Sequence, residues 1–340
     1  MKKGALFWVL AIGAGLVAMC CLLSFVFLGF GAFLSAGDSS GIATATVSSG
    51  GFEFTPPPSF TPAGQGRFKA RQVEGTTTNT LEIIRLADVS GRDDAERKLQ
   101  QLWNDQILRD WDKGQPNPVV MRRFVSNGAR AVFSGAELRA KDDSVARVTL
   151  FLVDNDDALT PLVFIQTSHD PDHLAVTQDM FARYTWVTSW ALAEEAIQHI
   201  KGSPIGEPLV SDDEILGAWS YGTGSQLQWV NTFSGRTGMD VVSYSIAYAF
   251  TADHRYTYKF SGASGTVGSL RFQGDAAEGE WNVTHDVLTV TSDEGKKTEY
   301  LLLGAPVSPE GTRLLYLLPK PHWTLEPSSA LSNGELYAPK

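Results

Sequence analysis

The run of residues 4–36 contains no charged side chain, and this feature constrains the chain more than any other. As a helix, at about 1.5 Å per residue, the run would be about 50 Å long and would exceed the ~30 Å hydrocarbon core of a bilayer. Lys2 and Lys3 precede the run and Asp38 follows it, so the positive-inside rule places the N-terminus in the cytoplasm. The sequence therefore predicts an N-terminal transmembrane helix within residues 1–36, with the remaining chain outside the cytoplasm.

Two other interpretations of this run stay open. A cleaved secretory signal has an apolar core of roughly 7 to 15 residues and small residues at its cleavage site. Here the core is longer, and Leu34 occupies a position that requires a small residue. Cys20 and Cys21 suggest a lipid-modified cysteine, but Met19 precedes Cys20 and the apolar stretch continues beyond both cysteines. An uncleaved anchor is therefore favoured over cleavage and over lipidation.

The composition beyond the run is that of a globular, acidic part. Of the 340 residues, about 300 lie beyond the run, which suggests two domains. Both cysteines lie inside the run, so the remainder contains no disulfide and no thiolate metal site. The formal net charge is -10 and Lys and Arg form only short pairs, which argues against nucleic acid as a partner.

The first of the two domains is predicted to be α+β. Residues 37–51 are mainly Ser, Gly, Thr and Ala and predict a flexible tether. Residues 52–201 then show the order three strands, a helix, four strands and a helix, with the helices near residues 93–111 and 173–200. Strands joined by hairpins need an antiparallel sheet, and the two amphipathic helices would cover it.

Two turns identify the hairpins of this domain. Asn127-Gly128 tolerates the positive φ angles of a tight hairpin, and the polar residues 154–157 separate the next two strands. In element order, and in a Phe-x-Phe-x-x-Pro segment that begins at Phe52, the domain resembles the Mog1/PsbP-like fold. That resemblance implies a binding or accessory module rather than catalysis.

The second domain is predicted to be all β. After a linker at residues 202–210, residues 211–320 form a succession of short strands with regularly spaced turns, including one at residues 262–268. This pattern is typical of an up-and-down barrel or a sandwich. Residues 321–340 are rich in Pro, Ser and Asn and are predicted to form a tail that lies loosely on the surface.

Short motifs recur in the all-β part. They are Gly217-x-Trp219, Phe250-x-x-Asp253-His254-x-Tyr256 and Gly279-x-Trp281-x-Val283. Over about residues 210–320 they resemble the bacterial lipocalin-like domain family, whose pattern is G-x-W, F-x-x-D-G-x-Y and G-x-W-x-V-x-x-x-x-L. His254 departs from this pattern, since the family prefers Gly there. The resemblance implies a lipocalin-like β-barrel and a bacterial envelope protein.

Residues 168–173 are the one local cluster of side chains that could bind a metal. His169, Asp172 and His173 are its candidate ligands, because imidazole and carboxylate suit zinc and similar ions. Pro171 instead marks a strand-to-helix loop, in which Asp and Ser cap a helix and His is only polar. The loop interpretation is favoured, so no metal and no other cofactor is predicted.

Aromatic side chains are the remaining conspicuous set in the barrel. The candidate ligand-binding residues of its interior are Trp219, Tyr248, Phe250, Tyr256, Tyr258 and Trp281. Since alternate residues of a barrel strand face inward, some of these rings must line the interior. They either fill a closed core or line a cavity for one small apolar ligand such as a lipid.

The functional expectation follows from what the sequence lacks and from its two domains. No convincing nucleophile, metal or phosphate motif is present, so no catalytic residue is assigned. We expect a non-enzymatic binding or scaffolding protein anchored in the bacterial inner membrane. One alternative is a structural protein of an envelope complex, with a filled barrel and an exposed apolar patch. Another is a metal-dependent enzyme that uses residues 168–173.

Overall fold

An open antiparallel sheet is followed along the chain by a closed antiparallel barrel. The computed structural model describes residues 46–109, 111, 119–139, 145–169, 190–230, 237–308 and 311–340. Within those ranges no helix has the length and apolar character that crossing a membrane requires. The predicted anchor at residues 4–36 lies outside them.

The first half of the described chain contains the strands of the open sheet. They are β1 (Val47–Ser49), β2 (Phe52–Phe54), β3 (Phe60–Gly64), β4 (Arg67–Glu74), β5 (Thr77–Arg85), β6 (Val89–Ser90), β7 (Met121–Phe124), β8 (Arg130–Arg139), β9 (Val145–Asn155), β10 (Ala158–His169) and β11 (Ile200–Lys201). The main sheet has the order β3-β4-β5-β10-β9-β8-β7, with β6 paired to β10, and β1-β2-β11 form a smaller sheet. β1 lies within the segment predicted to be a flexible tether, residues 37–51. There Val47 pairs with Phe54 of β2, so this part of the segment belongs to a sheet.

Two helices cover opposite faces of the main sheet. They are α1 (Ala95–Leu102), which continues as a π-helical turn (Trp103–Ile107), and α2, residues 190–197. Leu99 and Trp103 are buried in the core on one face, while Trp190 and Ile197 are buried in the core on the other. The predicted antiparallel sheet is therefore confirmed, and residues 173–189 of the second predicted helix lie outside the described residues.

Both predicted hairpins are present in this sheet. Gly128 has a φ of 79° in the turn between β7 and β8, an angle that glycine adopts without steric cost. Asp156 has a φ of 47° in the turn between β9 and β10. β9 is buried on both faces after its first residue, which explains why its apolar residues do not simply alternate with polar ones.

Eight strands form the barrel in sequence order. They are β12 (Gly217–Val230), β13 (Thr237–Phe250), β14 (Arg255–Thr266), β15 (Arg271–Thr284), β16 (Val287–Ser292), β17 (Lys297–Gly304), β18 (Leu315–Pro319) and β19 (Glu335–Pro339). A short helix, α3 (Asp212–Ile215), precedes the barrel, and α4 (Pro327–Asn333) lies between β18 and β19. Each strand is antiparallel to its neighbours, which confirms the predicted β-barrel as a closed one.

The C-terminal segment differs from the loose tail that its composition predicts. Residues 321–340 contain α4 and the strand β19, which pairs with β18 on one side and with β12 on the other. Ala338 pairs with Ser220 to close the barrel, and Tyr337 is fully buried. The ladder hydrogen bonds and the buried ring outweigh the weak strand preference of Pro, Ser and Asn.

One predicted turn is also misplaced. Gly262 and Gly265, expected in a turn at residues 262–268, lie inside β14, and the chain reverses at residues 267–270. Glycine inside a strand permits the bends that a closed barrel requires, so it does not end the strand here.

The barrel wall and the open sheet share one apolar layer. Along β17 and β18, Leu302 and Leu317 belong to the barrel interior, whereas Leu303 and Leu318 belong to the core that covers the sheet. Residues 45–340 accordingly form one compact unit.

Arg122 of β7 adds hydrogen bonds to this junction. Its guanidinium contacts Glu96 of α1 at 2.8 Å and Glu214 of α3 at 3.0 Å, and donates to the carbonyl oxygen of Leu209 at 2.8 Å. Only 13% of the Arg122 side chain is exposed. Leu209 belongs to the predicted linker, residues 202–210, so this arginine holds the segment that leads into the barrel.

We expect Arg122→Met to lower the free energy of unfolding by about 2 to 4 kcal/mol, because it leaves two partly buried carboxylates without their cation. Chemical denaturation followed by far-ultraviolet circular dichroism measures the change. Arg97→Met is the matched control, since Arg97 pairs with Asp94 at an exposed position and should change stability by less than about 0.5 kcal/mol. Equal losses for the two variants would contradict the role of Arg122.

Candidate functional site

α3 and two motif tryptophans close one end of the barrel. Ile215 of α3 is fully buried among the interior side chains, and Nε1 of Trp219 donates to its carbonyl oxygen at 2.6 Å. Nε1 of Trp281 donates to the carbonyl oxygen of Thr251 in the turn between β13 and β14, at 3.2 Å. Both indole N–H groups are therefore satisfied, and this end is sealed.

Two motif positions have backbone constraints that explain their preferred residue types. His254 has a φ of 58°, in the left-handed region that glycine adopts most easily, which accounts for the Gly in the motif. Its ring lies 4.7 Å from the ring of Trp281. A Cβ added at Gly279 would lie 2.0 Å from the carbonyl oxygen of Thr291, so no side chain fits between β15 and β16 at this point.

The predicted interior residues lie together in the barrel. Five are buried and one is half buried: Trp219, Tyr248, Phe250, Tyr256 and Trp281, and then Tyr258. Phe250 stacks on Tyr248 with the ring centroids 5.4 Å apart, and meets Trp281 edge to face at 5.7 Å. The five buried rings fill the closed half of the barrel.

The opposite end of the barrel is open to solvent. Exposure rises along the interior-facing side chains of β13 in the order Phe250 (3%), Tyr248 (5%), Ile246 and Tyr244 (both half buried) and Val242 (54%). Strand length explains this gradient, because β12–β15 extend beyond β16, which pairs with β15 only from Gly279 onward. The open end therefore has a wall of four strands and an accessible aromatic lining.

Glu335, the first residue of β19, places a carboxylate in this lining. Its Oε2 accepts a hydrogen bond from the hydroxyl of Tyr337 at 2.7 Å. The Tyr337 ring lies 5.5 Å from Tyr221 and 5.8 Å from Tyr248. Tyr248 in turn lies 5.1 Å from the Tyr258 ring, and its hydroxyl is 2.8 Å from that of Tyr300. We call this group the Tyr–Glu cluster: Tyr221, Tyr248, Tyr258, Tyr300, Tyr337 and Glu335.

Burial alters the ionisation of the Tyr–Glu cluster. Removal from water raises the pKa of Glu335, against the opposing effect of the Tyr337 hydrogen bond. Burial raises the pKa of Tyr300 to about 12, and the negative charge of Glu335 contributes. The hydrogen bond with Tyr244, and then burial, raise the pKa of Tyr221 to about 12. The tyrosines therefore remain neutral at physiological pH.

Sequence reasoning misses several members of this cluster. Tyr221 lies two residues after Trp219, so the two-residue period of a strand could have placed it on the same interior face. Glu335 and Tyr337 lie in the segment whose composition predicts a tail, and no local signal there indicates a strand.

The predicted metal loop is only partly described. His169 ends β10, where it pairs with Thr78, and its side chain is exposed. Asp172 and His173 lie outside the described residues. In the described part of the chain, no group of three or more His, Cys, Asp or Glu side chains is arranged to hold a metal ion. Metal-dependent catalysis at residues 168–173 stays an untested prediction.

A second depression lies on the outer face of the barrel, between β17 and β18. It is lined in part by Lys297, Glu299 and Lys320. Glu299 pairs with both ammonium groups, and these hydrogen bonds lower its pKa to about 2. Because the lysines already share a carboxylate, this surface offers a weaker recognition feature than the Tyr–Glu cluster.

Comparisons with known proteins assign no family to the chain. No protein-family model matches it, and no curated protein matches it. Among solved structures, a protein of unknown function from the DUF3598 family of Nostoc punctiforme is similar over 74% of this chain and 75% of that chain. The identity is 13% and the TM-score is 0.17, so this likeness carries no argument about the fold or the function.

We expect Glu335→Gln to raise the free energy of unfolding at pH 7 by about 1 kcal/mol or less, since the carboxyl remains partly solvated. A raised pKa in the folded state means that the ionised carboxylate costs stability above that pKa. The advantage of the variant should therefore disappear as the pH falls below the ordinary Glu value of 4.5. Thermal unfolding at pH 7 and pH 4 measures it, with the exposed Glu278→Gln as control. A variant that is less stable than the parent at pH 7 would show that the carboxylate stabilises the barrel.

Proposed function

We propose that this chain is a membrane-anchored, extracytoplasmic binding protein that holds one small, mainly apolar ligand in the open end of its barrel. The observation that carries the proposal is the rise in exposure along the interior-facing aromatic and aliphatic side chains of β13. A concave, mostly apolar lining with a few polar groups is the usual composition of a small-molecule site. Catalysis is not part of this proposal.

A lipocalin-like barrel is the finer fold assignment within the proposal. Eight antiparallel strands in sequence order, closed at one end and open at the other, support it. The hydrogen bonds of Trp219 and Trp281 at the closed end also support it, because they give both motif tryptophans a structural role.

The anchor and the sheet complete the proposed arrangement. Residues 4–36, uncharged and preceded by Lys2 and Lys3, support a single-pass anchor in the bacterial inner membrane with the N-terminus in the cytoplasm. The antiparallel sheet is compatible with a Mog1/PsbP-like binding or accessory module. Neither half needs a cofactor in this arrangement.

A second candidate function is that of a structural partner in an envelope complex. Its support is the filled closed half of the barrel, together with Phe272 of β15, whose surface is 77% exposed. Within the described residues, β15 also has no partner strand beside residues 271–278 on the side toward β16. Such an edge and an exposed ring are typical of protein contacts.

Filling the open end with a side chain tests the ligand proposal. Ala277 pairs with Tyr258 and shares its interior face, so Ala277→Trp should occupy the open end. Ala276 is exposed on the outer face, which makes Ala276→Trp a matched control. The neutral dye N-phenyl-1-naphthylamine is titrated into the full chain and both variants in the same detergent. We expect Ala277→Trp to weaken dye binding at least tenfold and Ala276→Trp to leave it unchanged.

Micelles bind the dye equally in all three samples, so only the difference between variants reports on the barrel. Thermal unfolding confirms that each variant is folded. If all three proteins bind the dye alike, the ligand proposal is wrong and the structural role is favoured.

A further inference from the structure

Glu335 is an acidic residue in the barrel interior that has no cationic partner among the described residues. Glu335 is half buried, and burial raises the pKa of its carboxyl group. Its one hydrogen bond comes from the neutral hydroxyl of Tyr337, and no lysine or arginine pairs with it among the residues that the structure describes. A carboxylate in such a place costs folding free energy unless a cation compensates it.

The groups around this carboxylate are suited to such a cation. Tyr221, Tyr244 and Tyr258 are half buried, so part of each ring remains accessible at the open end. The faces of aromatic rings carry negative electrostatic potential and attract organic ammonium groups, and several rings around one cation form an aromatic cage. The Tyr–Glu cluster combines such rings with a formal negative charge.

A second carboxylate makes the open end more negative. Asp275 of β15 pairs with Phe260 on the interior face of the wall and is exposed. Burial raises the pKa of the Tyr258 hydroxyl, and the negative charge of Asp275 raises it further. Arg271 is four residues further along the same strand, about 13 Å at 3.3 Å per residue, at the exposed tip of the wall. An anionic ligand, such as a fatty acid, would meet two carboxylates here.

We propose that the open end of the barrel binds an organic cation, with its ammonium group beside Glu335 and its apolar part against the tyrosine rings. This inference rests on the proposed function, because it assigns the chemistry of the ligand that the barrel holds. The shared chemistry is a substituted ammonium, whether it belongs to a small soluble cation or to a lipid headgroup.

Choline and its uncharged isostere 3,3-dimethylbutan-1-ol form the test pair, because they differ in the charge and are nearly equal in size. Both are soluble in water, and isothermal titration calorimetry of the full chain measures their affinities. We expect choline to bind at least tenfold more tightly than the alcohol. Phosphocholine is the third probe: weaker binding than choline indicates a small soluble cation, and tighter binding indicates a lipid headgroup. Both rankings support an ammonium ligand.

Two variants locate the binding. Glu335→Gln keeps an acceptor for Tyr337 and should lower choline affinity at least tenfold while leaving the alcohol unaffected, and Glu278→Gln on the outer face should change neither. Tyr258→Leu should weaken choline more than the alcohol, which keeps the test informative if Glu335→Gln folds poorly. Equal affinities for choline and the alcohol would overturn the cation proposal yet leave a binding barrel. If neither choline nor the alcohol binds while the dye still responds to Ala277→Trp, the cation proposal alone fails.

Discussion

The apolar layer shared by the barrel wall and the open sheet is the constraint on which the rest of the structure depends. β17 and β18 are covered on both faces, by the barrel interior and by the core of the sheet. Arg147 of β9 adds an ion pair with Glu326, just before α4, in which both side chains are almost fully buried. Because buried layers pack densely and deform little, the closed half of the barrel has a fixed support. The four-stranded wall can then extend away from this support without the sheet having to move.

Local signals predict much of the sheet and the frame of the barrel. Asn127-Gly128 identifies its hairpin because these two residue types tolerate the positive φ angles that a tight turn requires. The motif positions are equally local, since the close approach of Thr291 requires Gly279, and the left-handed backbone at position 254 explains why the motif has Gly where this chain has His254. Such constraints act over a few neighbouring residues or one strand pair, so they leave a readable pattern in the sequence.

Glu335 and the strand that carries it depend on contacts that are distant in sequence. β19 forms because Ala338 pairs with Ser220 and because the Tyr337 ring packs in the barrel interior against Tyr221 of β12 and Tyr248 of β13. Gly262 and Gly265 show the converse error, in which residues that often end a strand are retained inside β14 by strand pairing: Gly262 pairs with both β13 and β15, and Gly265 pairs with Val241 of β13. Local composition cannot distinguish a tail from the strand β19, or a turn from the interior of β14. The free energy that stabilises each strand comes from contacts with residues that are distant in the sequence.

The sequence allows two interpretations of the aromatic residues of the barrel, that they fill a core or that they line a cavity. The two interpretations apply to different halves of the same barrel. β16 has six residues and β15 has fourteen, so β16 pairs with only part of β15. The interior is therefore enclosed near Trp281 and open near Tyr258. The enclosed half can supply stability by burying Phe250 and the motif tryptophans. The uncovered half can then hold the half-buried Glu335, because the packing of the enclosed half does not depend on that carboxyl group.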